Sequence, residues 1–378
     1  MDDNLPPVSP SSSRPPLPPP PIIIAPAQKR PAKTGRGWKI FAIVLLVALI
    51  ISVTKDTRKG LHGITSPGRA VQQGEQLLDE VIVENNSSEN KIALVDVEGI
   101  IASSPIGRTG RSLVESIQDQ MKTASRDEKV KAIVLRVNSP GGEVLASDEI
   151  YNVIADFQKN TKKPVVASMG SLAASGGYYV SAPCRWIVAN EMTLTGSIGV
   201  IMHGYNYRGL MDKLGVRPET FKSGKFKDML SGDREGEIPE EEREMVQGLI
   251  METYGKFTNI VAAGREEANL QNKSAGRALA SDWTEYADGR VLSGKQALKL
   301  GLVDELGDFK AAVKRAQKLA NLPNANLIQY QERFGLENFF RIFGKTETPV
   351  PSVKIDLGLD FPKLQLGRLY FMTPTTLP

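Results

Sequence analysis

The chain has 378 residues, 47 lysines and arginines against 43 aspartates and glutamates, a formal net charge of +4 and one cysteine. This near balance, with no basic run interleaved with aromatics, excludes the footprint of a nucleic-acid partner. A lone Cys184 excludes an intrachain disulfide and a cysteine metal site, His62 and His203 are too few for the usual zinc clusters, and no cofactor is expected.

Residues 1–37 are low in complexity, with eleven prolines between Pro6 and Pro31. Such a leader has nothing to bury and reads as disordered or polyproline II. Residues 38–55, WKIFAIVLLVALIISVTK, follow. The uncharged stretch from Ile40 to Thr54 is 15 residues, slightly short for a hydrocarbon layer of roughly 30 Å. Trp38, Lys39 and Lys55 extend it to the interfaces. A cleaved signal peptide fits less well, because no small-x-small site follows. A core helix fits less well because every face is apolar. The stretch reads as a single transmembrane helix. Lys29, Arg30, Lys33, Arg36 and Lys39 lie before it. That bias expects the N-terminus in the cytoplasm and the rest of the chain outside the cytoplasmic membrane.

Residues 56–90 read as a linker with a short helix around Glu75 to Val83. A globular rhythm starts at Lys91. KIALVDVEGII reads as a strand, SLVESIQDQMKTA as a helix, and VKAIVLRVNS as an apolar strand covered on both faces. SDEIYNVIADFQKN reads as a helix, PVVASMG and RWIVAN as strands, and about Glu240 to Glu267 as a long helix. Strands alternating with helices predict an α/β domain with a parallel sheet. The stretch from Lys345 to Pro378 shows prolines, short apolar patches and no clear packing role.

Three loops of small residues follow strands: Asn138 to Val144, the run GSLAASGG from Gly170, and Thr195 to Val200. Open α/β sheets place their sites at such loops, and glycine lets a backbone approach a ligand closely. Ser175, inside GSLAASGGYY, is a candidate nucleophile or a small residue in a tight turn. It misses the G-x-S-x-G elbow, and a histidine triad in hydrolase order has no histidine after His203. His203 itself is expected to pack or bond near the third loop. A lysine can serve as base in place of histidine. Its pKa must fall by about 3 units, roughly 4 kcal/mol of destabilisation of the ammonium. FKSGKFKDML offers Lys222, Lys225 and Lys227. GRVLSGK copies a phosphate-loop spacing, but Gln296 stands where Ser or Thr is needed.

VNSPGGEV, SMGSLAASGGYYVS, TGSIGV, SGKFKDML and DGRVLSGKQALKLGLVDELG, in this order, resemble the signal peptide peptidase A family, the bacterial peptidases of family S49. The resemblance covers about Lys91 to Leu322 and one catalytic unit, as in the family's short form. It implies a peptidase domain at 91–322, an extension or tail at 323–378, and repeated strand–strand–helix units like those of the crotonase and Clp protease superfamily. It implies Ser175 as nucleophile and Lys227 as general base, with Lys225 the rival. Ser197 would orient the lysine amine, and the N–H groups of Gly142 and Gly176 would form the oxyanion hole. In short forms serine and lysine come from neighbouring protomers of a ring. The function implied is a membrane-anchored endopeptidase of cleaved signal peptides and other short hydrophobic peptides. The alternatives are a serine–lysine protease for membrane-protein quality control, an acyl-CoA hydratase or isomerase on the same fold, and a non-catalytic scaffold.

Overall fold

The computed structural model describes residues 78–104, 111–332 and 369–372. The expected leader and membrane span lie outside the described residues. Among those residues no helix is long and apolar enough to cross a membrane.

The first element corrects an expectation. Leu78–Glu84 is a strand, β1, where the sequence suggested part of a short helix. A helix of that length is marginal alone. The Val81-Ile82-Val83 run is instead held by antiparallel pairing with Asn326–Glu332. β2 (Lys91–Glu98) then leads to α1 (Leu113–Arg126), which Ser112 and Glu115 start with a reciprocal capping box. α1 buries Val114, Ile117, Met121 and Ala124.

β3 (Val130–Ser139), β4 (Gly141–Glu143) and α2 (Val144–Thr161) follow in strand–strand–helix order. β5 (Val165–Ala174) runs directly through Ser175 into α3 (Gly176–Ser181). Next come β6 (Trp186–Ala189), β7 (Leu194–Gly196), α4 (Arg208–Lys213) and the 32-residue α5 (Glu240–Gln271). The described chain continues through β8 (Val291–Ser293), α6 (Gly294–Lys299), β9 (Glu305–Leu306), α7 (Phe309–Leu319), β10 (Asn326–Glu332) and β11 (Tyr370–Met372). Gln296, the residue that spoils the phosphate-loop pattern, completes a capping box with Ser293 at the start of α6.

The main sheet runs β1-β10-β2-β3-β5-β6-β9, with β7 beside the end of β5 and β8 beside β7. Its centre is parallel, with Ile133 opposite Val165 and Leu135 opposite Ala167, and its antiparallel pairs are β1 with β10 and β7 with β8. Successive strand residues face opposite sides. Ile133 and Leu135 join the core under α1 and α2, and Val134 joins the core under α7 with Ala312 and Ala316. Both faces of the central strands are therefore covered, which explains the unbroken apolar run of β3. The sheet takes in β1 and β10, on either side of the expected 91–322 region.

The C-terminal half of α5 is clamped to the sheet by a buried ion pair between Arg265 and Asp304. Arg265 also donates to the Cys184 carbonyl at 3.0 Å, and Asp304 accepts from the Ile187 N–H at 2.8 Å. These bonds offset the cost of taking two charges out of water. Cys184 is buried beside them, and burial pushes its thiol up to about 12. The N-terminal half of α5 packs less, leaving Met245, Leu249 and Met251 exposed.

Candidate active site

β3 and β5 end next to each other, and their end loops meet. At the end of β3, Gly141 turns the chain with φ +102°, and its N–H donates to Ser139 Oγ at 3.1 Å. The Gly141 carbonyl accepts from Ile101 N–H at 2.9 Å, and Glu143 N–H donates to the Ile101 carbonyl at 2.7 Å. Strand alternation then turns the N–H of Gly142 to the other side.

At the end of β5, Ser175 takes φ +54° and ψ −116°. A non-glycine residue pays on the order of 1–3 kcal/mol for such a backbone. The fold holds it there: Ser175 N–H donates to the Gly196 carbonyl at 2.8 Å, and Tyr179 N–H donates to the Ser175 carbonyl at 2.8 Å. Ser175 is 1% exposed, and its Oγ has no hydrogen-bond partner among the described residues. A buried hydroxyl without a partner is costly as structure and useful as chemistry. A Cβ on Gly176 would lie 2.7 Å from Ser147 Oγ and 3.1 Å from Gly142 N. Only glycine lets the two loops approach this closely, so Ser175, Gly142 and Gly176 form one cluster.

Ser197 joins the same neighbourhood through β7. It follows Gly196, whose carbonyl holds Ser175, and it is 3% exposed with φ +49°. It lines a cavity of about 440 Å³ with Ile201, Met251, Tyr254, Asp288 and Met372. Hydrogen bonds from Arg290 hold the Asp288 carboxyl down to about 2, so that position carries a negative charge at neutral pH.

The lysines lie elsewhere. Lys227 is exposed, with no hydrogen bond or ion pair from its amine among the described residues, and it does not reach Ser175 Oγ within the chain. Lys222 is paired with Asp228 at 2.8 Å, and Lys225 is paired with Glu241 and stands over the Phe226 ring. His203 is exposed, where the sequence suggested packing or a hydrogen bond near the third loop; it lines a surface hollow with Tyr205 and Tyr207.

The residues missed by sequence reasoning sit on β11. The stretch expected to have no packing role pairs antiparallel with β4: Tyr370 opposite Glu143, Phe371 opposite Gly142, Met372 opposite Gly141. Val144 N–H donates to the Leu369 carbonyl at 3.2 Å. On its other side, Tyr370 exchanges two bonds of 3.1 Å with Ile201. β11 thus fills a peptide-wide slot between β4 and Ile201. The Phe371 carbonyl oxygen and Gly176 N both fall within 2.6 Å of the point where a Cβ on Gly141 would lie. The carbonyl therefore sits beside the backbone donors of the cluster, and the Phe371 ring is fully buried. Three residues with no period and a remote partner give no signal in sequence.

The peptidase family S49 model matches residues 157–323, and the Clp protease model matches residues 84–194. A putative signal peptide peptidase SppA of Enterococcus faecium is 36% identical over 298 residues, 76% of this chain and 81% of that protein. A putative protease of Synechocystis sp. is 42% identical over 236 residues, 62% of this chain and 76% of its own. Protease 4 of Haemophilus influenzae is 33% identical over 249 residues, 65% and 38% of the two chains. The architecture is a Clp protease-like α/β fold with a mixed sheet. With the Enterococcus relative matched over 81% of its length and the Synechocystis relative over 76%, the chain belongs to peptidase family S49 and is a serine peptidase.

Proposed function

We propose that this serine peptidase cuts short apolar peptides, remnant signal peptides among them, with Ser175 as nucleophile and Lys227 of a neighbouring copy as base. One observation carries the reading: a strand of peptide, β11, lies along β4 with a carbonyl beside Gly142 and Gly176. A substrate in that slot gains main-chain hydrogen bonds from β4 and Ile201, whatever its sequence. Ser175 Oγ attacks the carbonyl carbon and gives its proton to the Lys227 amine. The oxyanion is held by the N–H groups of Gly142 and Gly176. The lysine returns the proton to the leaving amine, and water then cleaves the ester. Ser197, next in the chain to Gly196 whose carbonyl holds Ser175, fixes the amine.

Two observations support a second copy. Lys227 is exposed, away from Ser175 Oγ. Between residues 210 and 251 several large apolar side chains face solvent, with Leu210, Leu214 and Met251 exposed and Phe221 92% exposed. Apolar patches of this kind mark contact surfaces. The acyl-CoA and scaffold readings give way to family membership. A relative named a putative signal peptide peptidase favours the substrate class.

The test is hydrolysis of an internally quenched apolar peptide by the whole chain and by a chain ending at residue 368. Both should cut it. The shortened chain should be faster by about tenfold or more, since a tethered occupant competes at millimolar effective concentration. Failure of both chains to cut apolar peptides would contradict the reading; equal rates would show that β11 does not compete for the slot.

Residues 38–55 are proposed to anchor the peptidase in the cytoplasmic membrane, N-terminus inside, with the catalytic domain on the far side. The whole chain should stay in membranes through alkaline carbonate washing, and a chain starting at residue 56 should be released. Release of both would remove the anchor.

A further inference from the structure

One peptide unit links the two serines of the site. Its carbonyl, from Gly196, accepts from Ser175 N–H at 2.8 Å; its N–H, from Ser197, donates to the Arg290 carbonyl at 2.8 Å. A peptide group is planar and trans, so these two bonds point opposite ways and can only turn together. The residues on either side of it both have positive φ, +72° at Gly196 and +49° at Ser197. A serine keeps such a backbone only where its surroundings hold it. The β7–β8 ladder runs as far as Gly196 opposite Val291. The bond from Ser197 to Arg290 carries it one residue further, into the left-handed stretch.

The Arg290 carbonyl is set by a turn that is tied down on several sides. Arg290 N–H and Nε donate to Asp288 Oδ1 at 3.1 and 2.7 Å, and Nη2 donates to Asp288 Oδ2 at 2.6 Å. The guanidinium stands over the Tyr286 ring at 5.1 Å. Gly289 makes the turn with φ +92°, and it packs on the third loop: a Cβ on Gly199 would lie 3.2 Å from its Cα. From α5, the Tyr254 hydroxyl donates to the Ala287 carbonyl at 2.8 Å. The Asp288 and Arg290 side chains are 52% and 48% exposed, and a pair that wet contributes little to stability. What its two-pronged grip and its bond to the backbone do fix is geometry.

We propose that the turn from Ala287 to Arg290 is a positioning element of the active site, which fixes the Gly196–Ser197 peptide and, through it, the aim of both Ser175 and Ser197. The inference rests on the reading of Ser175 as nucleophile and adds the residues that hold it in place. Arg290 acts in two halves: its side chain closes the turn on Asp288, and its carbonyl pins the peptide. Tyr254 ties the turn to the long helix. If the turn loosens, the peptide tilts, and the Ser175 N–H loses the carbonyl that keeps its backbone strained. A misplacement of about 1 Å at a reacting atom costs on the order of 100-fold in rate.

The experiment uses the whole chain and the internally quenched apolar peptide, with kcat and KM read separately and thermal midpoints measured beside them. Asp288→Ala removes the acceptor for all three Arg290 donors. It should lower kcat by about tenfold or more, with KM within about twofold and Tm within about 2 °C of wild type. Asp288→Asn keeps an oxygen for the Arg290 N–H and should recover kcat to within about threefold of wild type. Tyr254→Phe keeps the ring, drops the bond to Ala287, and should lower kcat by about threefold or more, again with KM held. Wild-type kcat in Asp288→Ala would overturn the positioning role and leave the peptidase reading standing. So would Asp288→Asn no faster than Asp288→Ala, or a kcat loss that comes with a Tm lowered by more than about 5 °C, the mark of a merely structural turn. If wild type does not cut the peptide, the peptidase reading falls and this proposal falls with it.

Discussion

Ser175→Ala is expected to lower kcat/KM on apolar peptides by at least about 10⁴-fold, and Lys227→Ala by a similar factor, because a nucleophile and its base act as one unit. Lys225→Ala should stay within about twofold. The three differ for physical reasons. Ser175 is held in a strained backbone with its Oγ buried and without a partner. That arrangement has no structural benefit unless something meets the hydroxyl. Lys225 is spoken for: its amine is tied to Glu241 on the same chain, with 70% of its side chain exposed. An exposed pair of this kind contributes little, so its loss costs little. Lys227 has no such tie among the described residues. The comparison is made by steady-state hydrolysis, with size-exclusion profiles matched across variants. Activity in Ser175→Ala above one hundredth of wild type would return Ser175 to the status of a turn residue.

Gly142→Ala is expected to lower kcat by on the order of 100-fold or more, through the oxyanion donor rather than the serine. A Cβ at this position would press on the Ile101 backbone, 2.6 Å from its carbonyl carbon and 2.7 Å from its nitrogen. Both are main-chain atoms in a bridge that anchors β4, so neither turns aside as a side chain would. β4 must shift, and the Gly142 N–H shifts with it. Contacts to the rest of the peptide survive, so KM should change much less than kcat. Equal loss in both, or wild-type kcat with an intact fold by circular dichroism, would remove Gly142 from the oxyanion role.

Local signals account for much of this architecture. Val130–Ser139 is a strand over the residues expected, because a run apolar on both faces belongs only in a covered sheet. α1 was marked by its apolar spacing, and the structure adds the Ser112–Glu115 capping box that starts it. The loops around Ser175, Gly142 and Ser197 were marked by small residues, which the close approach of β4 and α3 requires. Long-range pairing escaped. Leu78–Glu84 has no periodicity that separates helix from strand, and β10, more than 240 residues later, decides the matter. Tyr370–Met372 is too short to carry a pattern, and its partner strand is equally short. Lys227 was named through the family resemblance, not through its spacing. Its sequence neighbourhood suggests a base, but no spacing along one chain reveals that the hydroxyl it serves is proposed to lie on another.

The central claim is that Ser175 and Lys227 meet between copies, and subunit mixing tests it most directly. Ser175→Ala and Lys227→Ala chains, each inactive alone, are combined at equal amounts under conditions where oligomers exchange. The account predicts recovery of activity to about a quarter of wild type, because in a head-to-tail ring one neighbour pairing in four joins an intact serine to an intact lysine. Exchange shown by differently tagged chains, with no activity recovered, would contradict it.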